Sequence, residues 1–313
     1  MGFKSFHEHI EENKRNSILF VFIFFLVILF LGYFIGEIAF GDWVSGLIFA
    51  LFFFIIYFLI VFFSGDKLIM NLSNAKKIKK SDNPMLWNTV EGLSIAAGMN
   101  MPDIYIINSP AMNAFASGRK PENSAVAFTK GLLDALNKQE LEGVAAHELA
   151  HIKNRDVQFM MFVTLFIGLI GLLSNFLLRM LFFGGMRRSG NKNSGSIYLL
   201  LVILALVFAI LSPFLSQLIR FSISRKREFL ADAEGARLTR YPPGLASALQ
   251  KISKSDVKFK NAFKELEPLY IHNPFSSLFS THPPIEERVK TVSYTHLRAH
   301  ETVLDLVCRL LLE

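Results

Sequence analysis

The sequence predicts a mainly helical α+β core combined with four hydrophobic membrane helices. Four stretches carry no charged residue: 17–36 (20 residues), 43–64 (22), 157–178 (22) and 197–219 (23). As a helix, about 20 apolar residues cross the hydrocarbon core of a bilayer. Composition agrees, with 52% hydrophobic residues, 32 Phe and a mean hydropathy of +0.38. Soluble domains are rarely this apolar. Between and after these runs, polar segments mix helical periodicity with short β-branched stretches, which is the α+β signal.

Residues 1–64 read as an N-terminal tail and two transmembrane helices. The tail, 1–16, is polar, with an amphipathic pattern around Phe3, Phe6 and Ile10. The first apolar run is too long for a signal peptide and no small-x-small site follows it, so a retained anchor is expected. The link 37–42 carries Glu37 and Asp42 and no Lys or Arg. Its flanks carry Lys4, Lys14 and Arg15 before, and Lys67, Lys76, Lys77, Lys79 and Lys80 after. The positive-inside rule puts the link outside and everything from residue 65 in the cytoplasm.

Residues 65–156 read as the first half of a cytoplasmic domain. A helix over 84–97 places Leu86, Val90, Leu93 and Ala97 on one face, and Gly98 and Pro102 end it. Strands are expected at 103–107, 113–118 and 124–128, the last two joined by a Gly-Arg-Lys-Pro turn. From about Lys138 a helix follows, with Asn137 and Glu140 forming a capping box. Residues 157–219 form a hydrophobic helical hairpin holding the third and fourth membrane helices. Its loop, 179–196, carries Arg179, Arg187, Arg188 and Lys192, which opposes an outside tip. The first pair of runs sets orientation more strongly. Residues 220–292 are the second half of the domain. Helices are expected at 221–240, ended by Pro242 and Pro243, and at 245–252. A surface loop or lid over 255–270 and a last helix near Pro283 and Glu286 follow.

The net charge of +7 is spread over loops and tails. It forms no basic patch with interleaved aromatics, so it suits a lipid bilayer surface and no nucleic acid. The single cysteine, Cys308, lies near the C-terminus, which excludes a disulfide scaffold and a thiolate metal site. A metal in this chain must use His and carboxylate ligands.

Such ligands occur at His147-Glu148-Leu149-Ala150-His151. On a helix, residues four apart differ by about 40° in azimuth, so His147 and His151 share a face. The pattern H-E-x-x-H reads as two zinc ligands with Glu148 as a general base toward a metal-bound water. A surface helix carrying these letters by chance is the competing reading. A catalytic zinc needs a third protein ligand and one open position. Glu228 is the candidate, with Asp232 one turn on, where it can accept the free ring N–H of a ligand histidine. Here the competing reading is a charged helix near headgroups, which Arg220, Arg225 and Arg227 would suit.

Four motifs, HELAH at 147–151, EFLAD at 228–232, NAFASG at 113–118 and THPPIEERV at 281–289, resemble the Ste24/HtpX family of membrane-embedded zinc metalloproteases. The four apolar runs fit the HtpX type better than the Ste24 type, which has more spans. The resemblance implies a zincin-like catalytic core of the gluzincin kind and one Zn2+ per chain on His147, His151 and Glu228. It implies Glu148 as the catalytic base and Asp232 behind the ligands. It places Asn113 and Ala114 on an edge strand that holds substrate, His282 near the oxyanion, and Arg288 against Asp232 or another carboxylate. His272 reads as a surface residue. The implied activity is endopeptidase cleavage of misfolded or damaged membrane proteins, as quality control and stress response in the bacterial inner membrane, with the active site facing the cytoplasm. A prenyl-protein processing protease would need an intramembrane chamber that four runs cannot build. A non-catalytic metal-binding scaffold is disfavoured by Glu148 and the open position.

After Val292 the chain reads SYTHLRAHETVLDLVCRLLLE, which resembles translated sequencing-adaptor sequence. Residues 293–313 are therefore expected to be non-native. His296 and His300 repeat the i, i+4 spacing, but Leu297 stands where a base would be needed.

Overall fold

The computed structural model describes residues 6–183, 202–203, 225–255, 257, 266, 269–271 and 283–292. The fourth apolar run (apart from Val202 and Ile203), His272, His282 and the 293–313 tail lie outside the described residues. The chain divides into two compact units. One comprises 1–13, 66–161 and 223–313; the other comprises 14–65 and 162–222.

Within the second unit lie parts of α1 (Phe6–Phe40) and α2 (Trp43–Leu72). Gly32 and Gly36 on α1 face Gly46 on α2, where an added Cβ would meet the Gly32 carbonyl at 2.1 Å. Only glycine permits this backbone approach, the small-xxx-small packing of apolar helices. Asp42 begins α2 by accepting the Val44 and Ser45 N–H groups at 3.1 and 3.2 Å. Phe166 packs with Phe24 (ring centroids 4.4 Å) and Tyr57 (5.4 Å), and the Tyr57 hydroxyl donates to the Leu165 carbonyl at 2.8 Å. Only 28% and 17% of the most apolar windows of α1 and α2 is buried. Phe49 and Phe52 are 69% and 64% exposed. A soluble core helix would hide such residues, so these faces suit lipid. Among the described residues, these two helices are long and apolar enough to cross a membrane.

The first unit holds a four-stranded mixed sheet in the order β1-β2-β4-β3. β1 (Ala75–Lys77) pairs antiparallel with β2 (Asp103–Ile107), β2 pairs parallel with β4 (Asn123–Thr129), and β3 (Ala114–Lys120) pairs antiparallel with β4. The parallel pair fully buries Val126, Ala127 and Phe128. β3 is an edge strand, and its register shifts between Gly118 and Lys120. Helices α3 (Pro84–Ala97), α4 (Lys130–Ala135), α5 (Lys138–Lys153), α7 (Arg225–Thr239) and α8 (Pro242–Ser253) complete the unit with a helical segment over 285–292 and the start of α6 (Asp156–Phe183).

α3 starts on Asn83, whose side chain accepts the Leu86 N–H, and ends at Gly98 in the left-handed region (φ 66°). α5 starts on the expected box: Asn137 accepts the Glu140 N–H at 3.0 Å, and the Glu140 carboxylate accepts the Asn137 N–H at 2.9 Å. Glu140 also accepts from Ser247 (2.6 Å) and Lys251 (2.7 Å) of α8. The cap thus becomes a tie between helices. α5 is the central helix. Leu141, Val144, Leu149 and Ile152 are fully buried, each contributing about 1.5–3 kcal/mol by leaving water. Gly143 lets α8 press against it, since a Cβ there would lie 2.6 Å from the Leu245 nitrogen.

Pro242 and Pro243 were expected to end a helix. They instead begin α8, where the missing N–H costs nothing, and α7 gives way at Arg240 in the left-handed region (φ 53°). β1 and α4 were not anticipated. β1 is mostly lysine, a composition that reads as loop yet suits an edge strand.

Gly143→Ala should lower the melting temperature of detergent-solubilised protein. Overpacking of about 1–3 kcal/mol exceeds the roughly 1 kcal/mol gained in helix propensity. An unchanged or higher melting temperature would contradict the close α5–α8 contact. Burial alone would raise the pKa of Glu140, but Lys251, Ser247 and the Asn137 N–H outweigh it and hold it below the usual value. Its contribution is present above the unfolded carboxylate range and is lost as pH falls through the depressed folded value. Glu140→Gln should therefore cost about 1–3 kcal/mol at neutral pH and progressively less in acid. A melting-temperature difference independent of pH would contradict this.

Candidate metal centre

α5 delivers His147, Glu148 and His151, all buried. α7 delivers Glu228 and Asp232, 3% and 0% exposed. The two helices meet closely because Gly235 of α7 lies against the backbone of α5; a Cβ there would sit 3.0 Å from the His147 nitrogen. Asp232 and Gly235 are three apart and Glu228 is one turn before, so one helix face carries contact and carboxylates together.

The two imidazoles stand edge to face, with centroids 4.6 Å apart and Nε2 atoms 3.1 Å apart. Glu228 Oε1 lies 3.5 Å from His151 Nε2, and Oε2 lies 3.8 Å from His147 Nε2. A donor atom from each of the three residues lies within 4.8 Å of the others. A tetrahedral zinc with bonds of about 2.0–2.1 Å separates its ligands by roughly 3.3 Å, close to these spacings.

The far nitrogen of each ring is committed to a carboxylate. Asp232 Oδ1 accepts from His147 Nδ1 at 2.9 Å, and Asp156 Oδ2 accepts from His151 Nδ1 at 3.0 Å. Both Nε2 atoms then face one point, where a shared proton or a metal cation relieves the repulsion of their lone pairs. The donor set therefore fits a divalent metal of zinc type.

Arg288, fully buried, donates from Nε and Nη2 to Asp232 at 2.8 and 2.7 Å, and its Nη1 lies 3.4 Å from Glu228 Oε2. Its Nη2 also lies 3.3 Å from His147 Nε2. The guanidinium thus meets both Glu228 and Asp232.

The electrostatics follow from burial and these partners. Burial and then Arg288 lower the pKa of His147 against the pull of Asp232, which keeps the ring neutral. Burial works against a charged His151, but Asp156 and Glu228 outweigh it and push the ring up to about 9 in the metal-free site. Burial would raise Asp232, yet Arg288 holds it well below the carboxylate range. Glu148, out of water, is pushed up to about 7, although the Ala116 N–H stabilises its charged form.

The cleft beside these groups has room for about one water, roughly 10 Å3, and is also lined by Ala116 of β3 and by Tyr270 and Ile271. Asn113 is buried, and its Oδ1 accepts the N–H of Ala114 at 3.0 Å. Thr129 fixes it from β4, accepting the Asn113 N–H and donating to its carbonyl at 2.9 Å. The Ala114 carbonyl accepts the Ile271 N–H at 3.0 Å, so the chain itself occupies this point of the edge strand. The Tyr270 ring meets Phe115 edge to face at 5.6 Å.

The structure thus assembles His147, Glu148, His151, Glu228, Asp232 and Arg288, with Ala114 opening the strand whose Ala116 lines the cleft and Asn113 immediately before it. Asp156 was not anticipated. In the sequence it is the last charge before an apolar run. The Asn154 cap and Arg155, left-handed at φ 59°, turn the chain so that Asp156 faces back to His151.

Comparison with known proteins identifies the family. The pattern of peptidase family M48 matches residues 80–296, which includes every residue of the candidate centre. A protease HtpX homolog of Dictyoglomus turgidum is 46% identical over 297 residues, covering 91% of this chain and 93% of its own. One from Listeria monocytogenes serotype 4a is 40% identical over 296 residues, covering 90% and 97%. The crystal structure of S. mikatae Ste24p superposes with a TM-score of 0.48 at 18% identity, covering 91% of this chain and 66% of that one. The chain belongs to peptidase family M48 and is a membrane metalloprotease.

Proposed function

We propose that the chain is a zinc endopeptidase in which His147, His151 and Glu228 hold the ion and Glu148 carries the proton. The observation that bears most weight is the convergence of two Nε2 atoms and one carboxylate beside a second buried carboxylate. Bound there, zinc would polarise the scissile carbonyl and acidify water. Glu148, raised by burial toward neutrality, takes a proton from the attacking water and returns it to the leaving amine. Asp232 and Arg288 act as one unit. The carboxylate holds the His147 tautomer, and the guanidinium keeps that carboxylate ionised.

Asn113 and Ala114 stand at the start of edge strand β3, whose Ala116 lines the cleft and where a substrate main chain can pair by strand addition, a mode tolerant of side-chain sequence. A substrate using the Ala114 carbonyl must displace the Ile271 N–H. His282 is proposed for the oxyanion from its place in the motif at 281–289.

The larger arrangement we propose has a zincin-like core in two halves, 65–156 and 220–292. It also has membrane helices within 1–64 and 157–219, four in all, and a non-native tail at 293–313. Lysines at 67, 76, 77, 79 and 80, against Glu37 and Asp42 in the first link, favour a cytoplasmic active site. The substrates are polypeptides, chiefly misfolded or damaged membrane proteins of the bacterial inner membrane. The exposed apolar faces of α1 and α2 support a bilayer setting for such encounters.

Metal analysis beside a casein cleavage assay tests the assignment. Glu148→Gln should keep one zinc per chain and lose at least about 100-fold in cleavage rate. Glu228→Ala should lose both zinc and cleavage. Full activity in Glu148→Gln would sink the mechanism, and full zinc in Glu228→Ala would sink the ligand set.

A further inference from the structure

A side chain far from the motifs in sequence connects the two halves of the centre. Asn13, on α1 and 5% exposed, uses every polar atom of its amide. Its Nδ2 donates to Asp156 Oδ1 at 2.6 Å and to the Asn154 carbonyl at 3.1 Å. Its Oδ1 accepts from Arg227 Nη1 at 3.1 Å. Asp156 presents its other oxygen to His151 Nδ1. Arg227 immediately precedes Glu228, and its guanidinium lies over the Phe159 ring at 5.3 Å. One amide thus touches the α5–α6 junction behind one metal-binding histidine and the residue next to the carboxylate on α7.

We propose that Asn13 is a positioning residue of the metal centre: it aims Asp156 at His151 and anchors Arg227 beside Glu228, so the N-terminal segment is part of the site. The chemistry demands an amide. A carboxylate at position 13 would replace the N–H donor with a second acidic group at hydrogen-bond distance from Asp156, competing for a proton and repelling it, and alanine would leave Asp156 and Arg227 without this shared partner. Groups that orient a ligand histidine are typically worth 10–100-fold in metal affinity. The inference rests on the metal reading above and adds a component that neither the H-E-x-x-H helix nor the Glu-x-x-x-Asp helix contains.

The test measures zinc affinity of the full chain in detergent by competition with a chromophoric chelator. It compares wild type, Asn13→Ala, Asn13→Asp, Asp156→Asn and the Asn13→Ala/Asp156→Asn double variant, and records the metal-free melting temperature of each. Asn13→Asp should weaken zinc binding about 10-fold or more, and more than Asn13→Ala does. The double variant should lose less affinity than the two single losses combined, because part of what Asn13 does passes through Asp156. A side chain that serves only folding would lower the melting temperature and leave the affinity of the folded fraction unchanged, which would overturn the proposal. So would losses from Asn13 and Asp156 that simply add. A wild-type chain that takes up no zinc overturns the metal reading itself, an outcome distinct from wild-type affinity in the Asn13 variants.

Discussion

Buried charge is the constraint on which the rest of this structure depends. Glu148, Asp156, Glu228 and Asp232 are all 3% exposed or less and lie around the same two imidazoles. Each buried carboxylate costs several kcal/mol unless it is paired and hydrogen-bonded. Arg288 meets Asp232 and Glu228, and Arg227 approaches from the far side through Asn13. Against four carboxylates these guanidinium groups leave a deficit that one divalent cation matches. Removing such a cation leaves protons to fill the gap, in keeping with a metal-free His151 pushed up to about 9 and a Glu148 at about 7. The same charges that suit a metal would make the interior unstable without compensation.

Holding those charges together requires helices that approach more closely than side chains normally allow. Gly143 admits α8 against α5, and Gly235 admits α7 against His147 itself. The capping box of α5 has a second task, since Glu140 reaches Ser247 and Lys251 on α8. Edge strand β3 borders the cleft opposite the helices, with Ala116 supplying an N–H to Glu148. The proposed metal centre and the proposed substrate strand therefore share one wall, and Ile271 already rests on it.

Much of this was legible in the sequence because it is local. The spacing of His147 and His151, the Asn137–Glu140 box and the Glu228–Asp232 interval are properties of single helices. The strand at 103–107 announced itself by β-branched residues, and that at 124–128 by the turn signal before it. Arg288 came from a motif and found Asp232 as expected. What escaped was long-range or context-dependent. Asp156 matters only because Arg155 adopts a left-handed backbone, and nothing in its letters separates it from an ordinary boundary charge. Asn13 lies 143 residues from its partner Asp156, a distance no periodicity bridges. Pro242 and Pro243 carry the same signal for stopping one helix and starting another, and only the packing of α8 on α5 decides between them.

Anomalous diffraction at the zinc edge, from crystals of the full chain grown with zinc, addresses the convergence of these residues most directly. The account predicts one strong peak within about 2.0–2.2 Å of His147 Nε2, His151 Nε2 and a Glu228 oxygen, with no fourth protein ligand. A peak bound elsewhere, a fourth protein ligand closing the shell, or no peak at these residues would contradict it.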